Sequence, residues 1–209
     1  MSAATWFGRW PHLWRAMRSG ETLAERRCLA IDLELTGLDP RRDHIVSLGW
    51  VPIEGREIQL AQARYFLVRP PVSVGQSAIY HGVHDRDLQE AESLETALRA
   101  LMDAAQGCLL VAHNSTLERR FLAAACRQCF GHEPGWPFLD TLRLELAQLH
   151  RAGRTVGDDA LTLARCLARH HLPPLTSHHA LEDAYGCALL LLAQTRPETR
   201  LAPLLLHAG

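Results

Sequence analysis

The order of the apolar segments is the feature that most restricts the fold of this chain. Two apolar runs typical of buried strands, 27–33 and 43–53, come first and are joined by a turn. A third strand is expected at roughly 57–68, and short strands follow at 108–113 and 138–140. Helical patterns occupy five later stretches: about 93–105, 115–130, 141–151, 159–170 and 180–195. Strands that lead and helices that follow predict a single α/β domain.

The charge balance limits how the chain can hold nucleic acid. Its 209 residues contain 22 Lys plus Arg and 23 Asp plus Glu, so the formal net charge is −1. Without a general positive field, any contact with nucleic acid has to be local. No apolar run approaches the roughly 20 residues that cross a bilayer, and the N-terminus lacks the apolar core of a signal peptide. We therefore expect a cytoplasmic protein that does not engage membranes.

Residues 1–26 form a distinct N-terminal extension. Apolar side chains recur there at helical spacing: Trp6, Trp10, Leu13, Trp14 and Met17. Arg and Ser occupy the other face, and Ser19-Gly20 ends the pattern, so an amphipathic helix is predicted. Such a helix packs on the body of the domain, or it presents its tryptophans to a protein partner or to a second copy of the chain.

Two acids stand at the end of the first strand. Asp32 and Glu34 are two positions apart, so both point to one face of the strand, whereas Leu33 points to the other. Two carboxylates on a buried strand are costly unless a proton or a cation neutralises them, and hard divalent cations prefer carboxylate oxygen. The alternative is a pair of solvated acids at the strand end.

A strand followed directly by a helix carries a third acid. The strand at 108–113 ends at His113-Asn114, a helix begins near Ser115, and Glu118 lies in its early turns. Because helix N-termini attract anions, a phosphate group could dock near Asn114 and Ser115. Taken alone, Glu118 is more readily explained as a surface acid.

The last apolar helix carries an acid on its inward side. Asp183 has small or buried neighbours, and His178 precedes it by five residues. Five helical positions differ by about 140° in rotation, so both side chains cannot face one site from a straight helix. We therefore expect His178 in the loop before the helix, where it can reach a site and act as a general base.

These stretches together resemble a known family. AIDLELTGLDP (30–40), VAHNSTLERRFL (111–122) and HHALEDA (178–184) resemble, in this order, the motifs of the DEDDh exonucleases of the ribonuclease H-like superfamily. IYHGVH (79–84) and LDTLRLELAQL (139–149) are also similar to family segments. The resemblance covers about 27–195, which leaves 196–209 as a C-terminal tail. It implies an α/β fold with a mixed sheet of about five strands, the first three antiparallel, flanked by helices.

The resemblance implies a two-metal 3′–5′ exonuclease that acts on single-stranded ends, with DNA favoured over RNA. By match, Asp32, Glu34 and Asp183 hold two Mg²⁺ or Mn²⁺ ions, Glu118 occupies the fourth acidic position and His178 is the general base. The matching substrate-binding positions are Leu35, Thr36, Gly37, Leu38, His81, His113 and Asn114.

One departure from the family bears on activity. The family has Asp where this chain has Glu118, and the extra methylene moves the carboxylate by about one bond length within a tight cage. One alternative to a free-standing exonuclease is therefore a catalytically weak nucleic-acid-binding or protein-interaction domain. Another alternative is a proofreading subunit that works in a polymerase complex.

Overall fold

The computed structural model describes residues 20–157, 159–175 and 178–206. The predicted N-terminal helix lies outside these ranges. The described part of the extension contacts the C-terminal segment, because Leu23 N donates to Thr199 O at 2.8 Å and Leu201 N donates to Glu21 O at 2.9 Å. Leu23 and Leu201 are both buried in one core cluster. The described residues at the two ends of the chain therefore pack together on the domain.

A mixed sheet of six strands forms the centre of the described structure. The strands are β1 (Cys28–Leu35), β2 (Ile45–Glu54), β3 (Glu57–Ile58), β4 (Arg64–Leu67), β5 (Leu109–Ala112) and β6 (Phe138–Asp140). Their order is β3-β2-β1-β5-β6, and β4 also pairs with β2. β2 is antiparallel to β1, β3 and β4, whereas β5 and β6 run parallel to β1. The predicted mixed sheet with an antiparallel first half is confirmed.

The structure has one strand more than the sequence predicted. The single strand expected at 57–68 is two strands, because a 3₁₀ turn at Leu60–Gln62 interrupts it. β2 has ten residues and is long enough to pair with β3 near one end and with β4 further along.

Helices cover the sheet. They are α1 (Ala78–His81), α2 (Leu94–Ala104), α3 (Ser115–Phe130), α4 (Thr141–Arg151), α5 (Leu163–Arg169), α6 (Ala180–Gln194) and α7 (Leu201–Leu206). α5 begins at Leu163, later than predicted, because the Thr162 side chain accepts from Arg165 N and caps the helix. Within the described ranges, no helix has the length and apolarity needed to cross a membrane.

Two apolar clusters lie on opposite faces of the sheet. Leu29, Ile31 and Leu33 of β1 pack with α2 and α3 on one face. Cys28 and Ala30 pack with α6 and α7 on the other. Because side chains alternate along a strand, Asp32 and Glu34 continue the face that α6 covers.

Gly49 lets α6 lie directly on this face. It pairs with Asp32 across β1 and β2. A Cβ atom at position 49 would lie 2.4 Å from Leu181 N and 2.5 Å from the carbonyl carbon of Ala180, closer than Cβ atoms approach backbone. The absent side chain therefore allows the first turn of α6 to sit against the sheet beside Asp32.

Candidate active site

Three carboxylates converge where α6 crosses the end of β1. Asp32, Glu34 and Asp183 each offer an oxygen atom, and these oxygens all lie within 4.8 Å of one another. The first two come from the α6-facing side of β1, and Asp183 comes from the first turn of α6. All three side chains are half-buried.

Burial and mutual repulsion oppose ionisation of these acids. Burial raises the pKa of Asp32 well above its usual range, and the charges of Glu118, Asp183 and Glu34 raise it further. Burial, together with Asp183, raises the pKa of Glu34 to about 7. The pKa of Asp183 is also raised by burial, although a hydrogen bond from His178 opposes this shift. No ion pair in the described part of the chain involves these three acids.

Glu118 of α3 lies outside the group of three acids whose oxygens are within 4.8 Å of one another. Its side chain is only 4% exposed, and its buried Oε2 has no hydrogen-bond partner among the described residues. Burial raises the pKa of Glu118 to about 8. Its charge is the largest influence after burial on the pKa of Asp32. The three clustered acids have no ion-pair partner among the described residues, and Glu118 has a buried oxygen without a hydrogen bond there. Such carboxylates fit a site for hard divalent cations.

His178 stands outside α6, immediately before it. It is exposed, and its backbone lies in the left-handed region with φ of 67°. Its N–H donates to Asp183 Oδ2 at 3.0 Å. The next residue, His179, is the N-cap of α6, and its ring stacks on Tyr65 with centroids 4.4 Å apart.

A cavity of about 290 Å³ opens beside the acids. Asp32, Asp183, His178 and His113 line it, and the leucines of α5 and of the following loop form its apolar wall.

His113 is held as a fixed part of the cavity wall. Its Nε2 lies 2.7 Å from Leu161 O and its Nδ1 lies 3.0 Å from Thr141 Oγ1. Burial lowers the pKa of His113, so the ring is neutral near pH 7. A carbonyl oxygen can only accept, so Nε2 carries the proton and donates to Leu161 O.

The carboxylate of Asp140 accepts hydrogen bonds from the N-terminus of α3. Asp140 accepts from Asn114 N at 3.1 Å, and from Ser115 N at 2.9 Å and Ser115 Oγ at 3.0 Å. This corrects the expectation that a phosphate docks there, because the N–H groups are occupied. Asn114 instead lines a separate cavity of about 490 Å³ with Arg143 and His150. Sequence reasoning missed Asp140, although an acid directly after the apolar residues Phe138 and Leu139 was a signal for it.

The turn after β1 is braced and ends in an exposed apolar side chain. Leu35 packs against the core, and the Thr36 hydroxyl accepts from His44 N at 2.9 Å. A Cβ atom at Gly37 would lie 2.5 Å from the Asp43 carboxylate, so a side chain at this position would require Asp43 to move. Leu38 is 71% exposed.

His81 closes α1 and lies near His178. Its Nδ1 accepts from Val83 N at 3.2 Å, so Nε2 carries the proton and donates to Ser77 Oγ at 3.0 Å. Burial lowers the pKa of His81, and the charges of His84 and His178 lower it further. The neighbouring side chain of Tyr80 is exposed.

Comparisons with known proteins agree with this geometry. The model of the RNase_T family, described as Exonuclease, matches residues 29–191. The DNA polymerase III PolC-type of Thermotoga maritima is 27% identical over 179 residues, which cover 85% of this chain and 12% of that protein. The PolC-type polymerase of Bacillus subtilis is 28% identical over 173 residues, which cover 81% of this chain and 11% of that one. The chain thus spans only a small part of these curated relatives.

Solved structures share the fold. Exonuclease I of E. coli in complex with a dT13 oligonucleotide superposes with a TM-score of 0.68 at 13% identity, covering 80% of this chain and 40% of that one. Exonuclease X in complex with 5′ overhanging duplex DNA gives a TM-score of 0.64 at 21% identity, covering 85% and 99%. These similarities confirm the predicted α/β architecture, a mixed sheet flanked by helices.

Proposed function

Because this chain belongs to the RNase_T exonuclease family, we propose that it removes nucleotides from the 3′ end of single-stranded nucleic acid by metal-dependent hydrolysis. The observation that carries the proposal is the convergence of Asp32, Glu34 and Asp183, with oxygens within 4.8 Å of one another. The exposed His178 lines one cavity together with Asp32 and Asp183. A domain that only binds nucleic acid needs neither a cluster of mutually repelling carboxylates nor a general base.

Four acids would hold two Mg²⁺ or Mn²⁺ ions. Asp32, Glu34 and Asp183 supply the clustered oxygens, and Glu118 supplies a buried oxygen without a hydrogen-bond partner in the described part of the chain. Two divalent cations held by these residues would supply activation of the attacking water and stabilisation of the leaving 3′ oxygen. Carboxylates ionise when they bind a cation, so the raised pKa values of the free site fall on loading.

His178 is the general base in this proposal. An imidazole nitrogen of His178 accepts a proton from the water that attacks the terminal phosphodiester. The P–O bond to the 3′ oxygen breaks, and the products are a nucleoside 5′-monophosphate and a strand shortened by one nucleotide. The backbone bond from His178 to Asp183 keeps the base next to the acids that surround the reacting phosphate.

A single-stranded DNA end is the favoured substrate. The relatives include PolC-type DNA polymerases, and the similar exonuclease I structure contains a dT13 oligonucleotide. The exposed Leu38 on its braced turn offers an apolar surface against which the terminal base packs. A net charge of −1 agrees with contacts to a few nucleotides rather than to a long duplex.

The test uses single-stranded DNA and RNA of one sequence, labelled at either end. Each is incubated with Mg²⁺, Mn²⁺ or chelator, beside an Asp183→Asn variant. We expect the 5′-labelled strand to shorten one nucleotide at a time, only with metal and only in the wild type, and the 3′ label to leave first as a mononucleotide. Loss of the 5′ label as a mononucleotide would refute the direction. No cleavage under any metal would favour the binding-module alternative.

The polymerase relatives support a second candidate, a proofreading activity within a polymerase complex. This chain matches 12% of the Thermotoga maritima PolC-type polymerase. A proofreading nuclease removes an unpaired 3′ terminus from a primer faster than a paired one. Equal rates on matched and mismatched primer–template ends would count against this role. Docking through the predicted N-terminal tryptophan helix remains a prediction.

A further inference from the structure

We propose that Tyr65 is a positioning residue that holds the His178 segment against the acidic cluster by stacking on His179. The inference rests on the proposed exonuclease function. The rings of Tyr65 and His179 are stacked, with centroids 4.4 Å apart and planes inclined by 22°. Tyr65 is 113 positions before His178 in the sequence and belongs to a strand that supplies none of the four acids.

The sheet register places Tyr65 on the correct face for this contact. Tyr65 pairs with Gly49, and Gly49 pairs with Asp32. Directly paired residues of neighbouring antiparallel strands share a face, so Tyr65 and Asp32 both point towards α6. Gly49 between them is the bare position over which the first turn of α6 lies. Tyr65 therefore stands beside the N-terminus of α6, where His179 is the cap residue.

The backbone conformation of His178 requires support from neighbouring residues. Its φ of 67° lies in a region that side-chain-bearing residues rarely adopt, and such a conformation persists only where the surroundings hold it. One restraint is the bond from its N–H to Asp183 Oδ2. The other is the adjacent His179, whose buried Nδ1 has no hydrogen-bond partner among the described residues. The stack on Tyr65 is therefore the side-chain contact that holds this ring.

Removal of the Tyr65 ring releases His179 and lets His178 leave its left-handed conformation. The base then moves away from the water it deprotonates, while the substrate contacts remain. A misplacement of about 1 Å costs about 10²-fold in rate, so kcat should fall by about this factor with KM near the wild-type value. The tyrosine hydroxyl is not part of the stack, so phenylalanine should restore the wild-type rate.

The experiment compares Tyr65→Leu, Tyr65→Phe and His179→Ala with a matched control, Phe66→Leu. Phe66 is the next residue of β4, and it stacks on Trp50 on the opposite face of the sheet at 5.4 Å. Phe66→Leu therefore removes a comparable aromatic stack without touching His179. The readouts are kcat and KM on 5′-labelled single-stranded DNA, the melting temperature, and hydrogen exchange of the His178 amide in chelator.

We expect Tyr65→Leu and His179→Ala to lower kcat alike and to speed exchange of the His178 amide, with no further loss in the double variant. Tyr65→Phe and Phe66→Leu should keep the wild-type kcat and exchange rate. Wild-type kcat in Tyr65→Leu, or an equal loss in Phe66→Leu, overturns the positioning role while the nuclease stands. Absence of metal-dependent cleavage by the wild-type chain overturns the proposed function itself.

Discussion

The backbone N–H of His178 lies 3.0 Å from Oδ2 of Asp183, so the residue before the helix is tied to an acid of its first turn. This bond gives the five-residue spacing a physical meaning. Asp183 N in turn donates to His179 O at 2.9 Å as α6 begins. The aspartate therefore both closes the loop around His178 and offers its charge to the cluster.

The two roles of Asp183 can be separated by two substitutions. Asp183→Asn keeps an oxygen that accepts from His178 N but removes the charge, whereas Asp183→Ala removes both. We expect both variants to lose metal-dependent cleavage by more than the roughly 10–100-fold that loss of an outer-shell partner costs. Only Asp183→Ala should speed hydrogen exchange of the His178 amide in chelator. Equal exchange in the two variants would contradict the bond as a restraint on the loop.

The metal-free protein should lose stability as the pH rises. The folded-state pKa is about 7 for Glu34 and about 8 for Glu118, whereas the ordinary pKa of a glutamate is 4.5. Between pH 4.5 and about pH 8 the folded state therefore binds more protons than the unfolded state. The free energy of unfolding falls as the pH increases through this range. Urea unfolding in chelator from pH 5 to pH 9 measures the slope.

Glu118→Gln provides the control for this pH dependence. The amide keeps the size of the side chain but carries no charge, so the variant should be more stable than the wild type in chelator, increasingly so up to about pH 8. Cleavage with metal should fall, because a ligand oxygen is lost. A variant with the wild-type pH slope would mean that the pKa of Glu118 is the same in the folded and the unfolded protein.

Gly49 should tolerate no side chain. A Cβ atom there would lie 2.4 Å from Leu181 N, and the backbone of α6 cannot move aside without carrying Asp183 away from Asp32. We expect Gly49→Ala to cost roughly 1–3 kcal/mol of unfolding free energy, as overpacking does, and to reduce cleavage. Gly157→Ala is the matched control, since a Cβ atom there meets nothing within 4 Å. Full activity of Gly49→Ala would show that α6 can shift without harm.

The spacing of residues was sufficient to predict features that depend on a single strand or helix. Alternation along β1 placed Asp32 and Glu34 on one face, and the helical period placed His178 outside α6. Both predictions depend on residues close in sequence, where geometry follows from spacing.

The spacing of residues was insufficient to predict contacts between segments that are distant in the sequence. The carboxylate of Asp140 lies at the N-terminus of α3, 25 residues away from Ser115, and displaces the phosphate expected there. The stack of Tyr65 on His179 depends on the register of β4 against β2, which no local spacing reveals. The division of one predicted strand into two also follows from pairing with the long β2.

A buried ionic cluster joins the three helices behind the site. Glu145 of α4 is 1% exposed, and it accepts from Arg169 at 2.6 Å and from Gln194 at 2.8 Å, with His170 Nε2 also at 2.8 Å. Burial acts to raise the pKa of Glu145, but the hydrogen bonds from Gln194, His170 and Arg169 outweigh it and lower the pKa. An acid with a lowered folded-state pKa stabilises the fold above its unfolded pKa, and this contribution is lost as the pH falls.

Arg169→Met should therefore destabilise the protein strongly at neutral pH. It leaves the buried Glu145 charge with fewer partners, which costs about 3 kcal/mol, and the loss should shrink at acidic pH, because protonation of Glu145 removes the unpaired charge. Arg165→Met on the same helix is the control, because its 3.4 Å pair with Asp159 is exposed and is worth at most about 1 kcal/mol. Urea unfolding of both variants at pH 7 and pH 4 measures these differences. Equal costs for the two variants at pH 7 would show that the Glu145 cluster contributes no more than a surface pair.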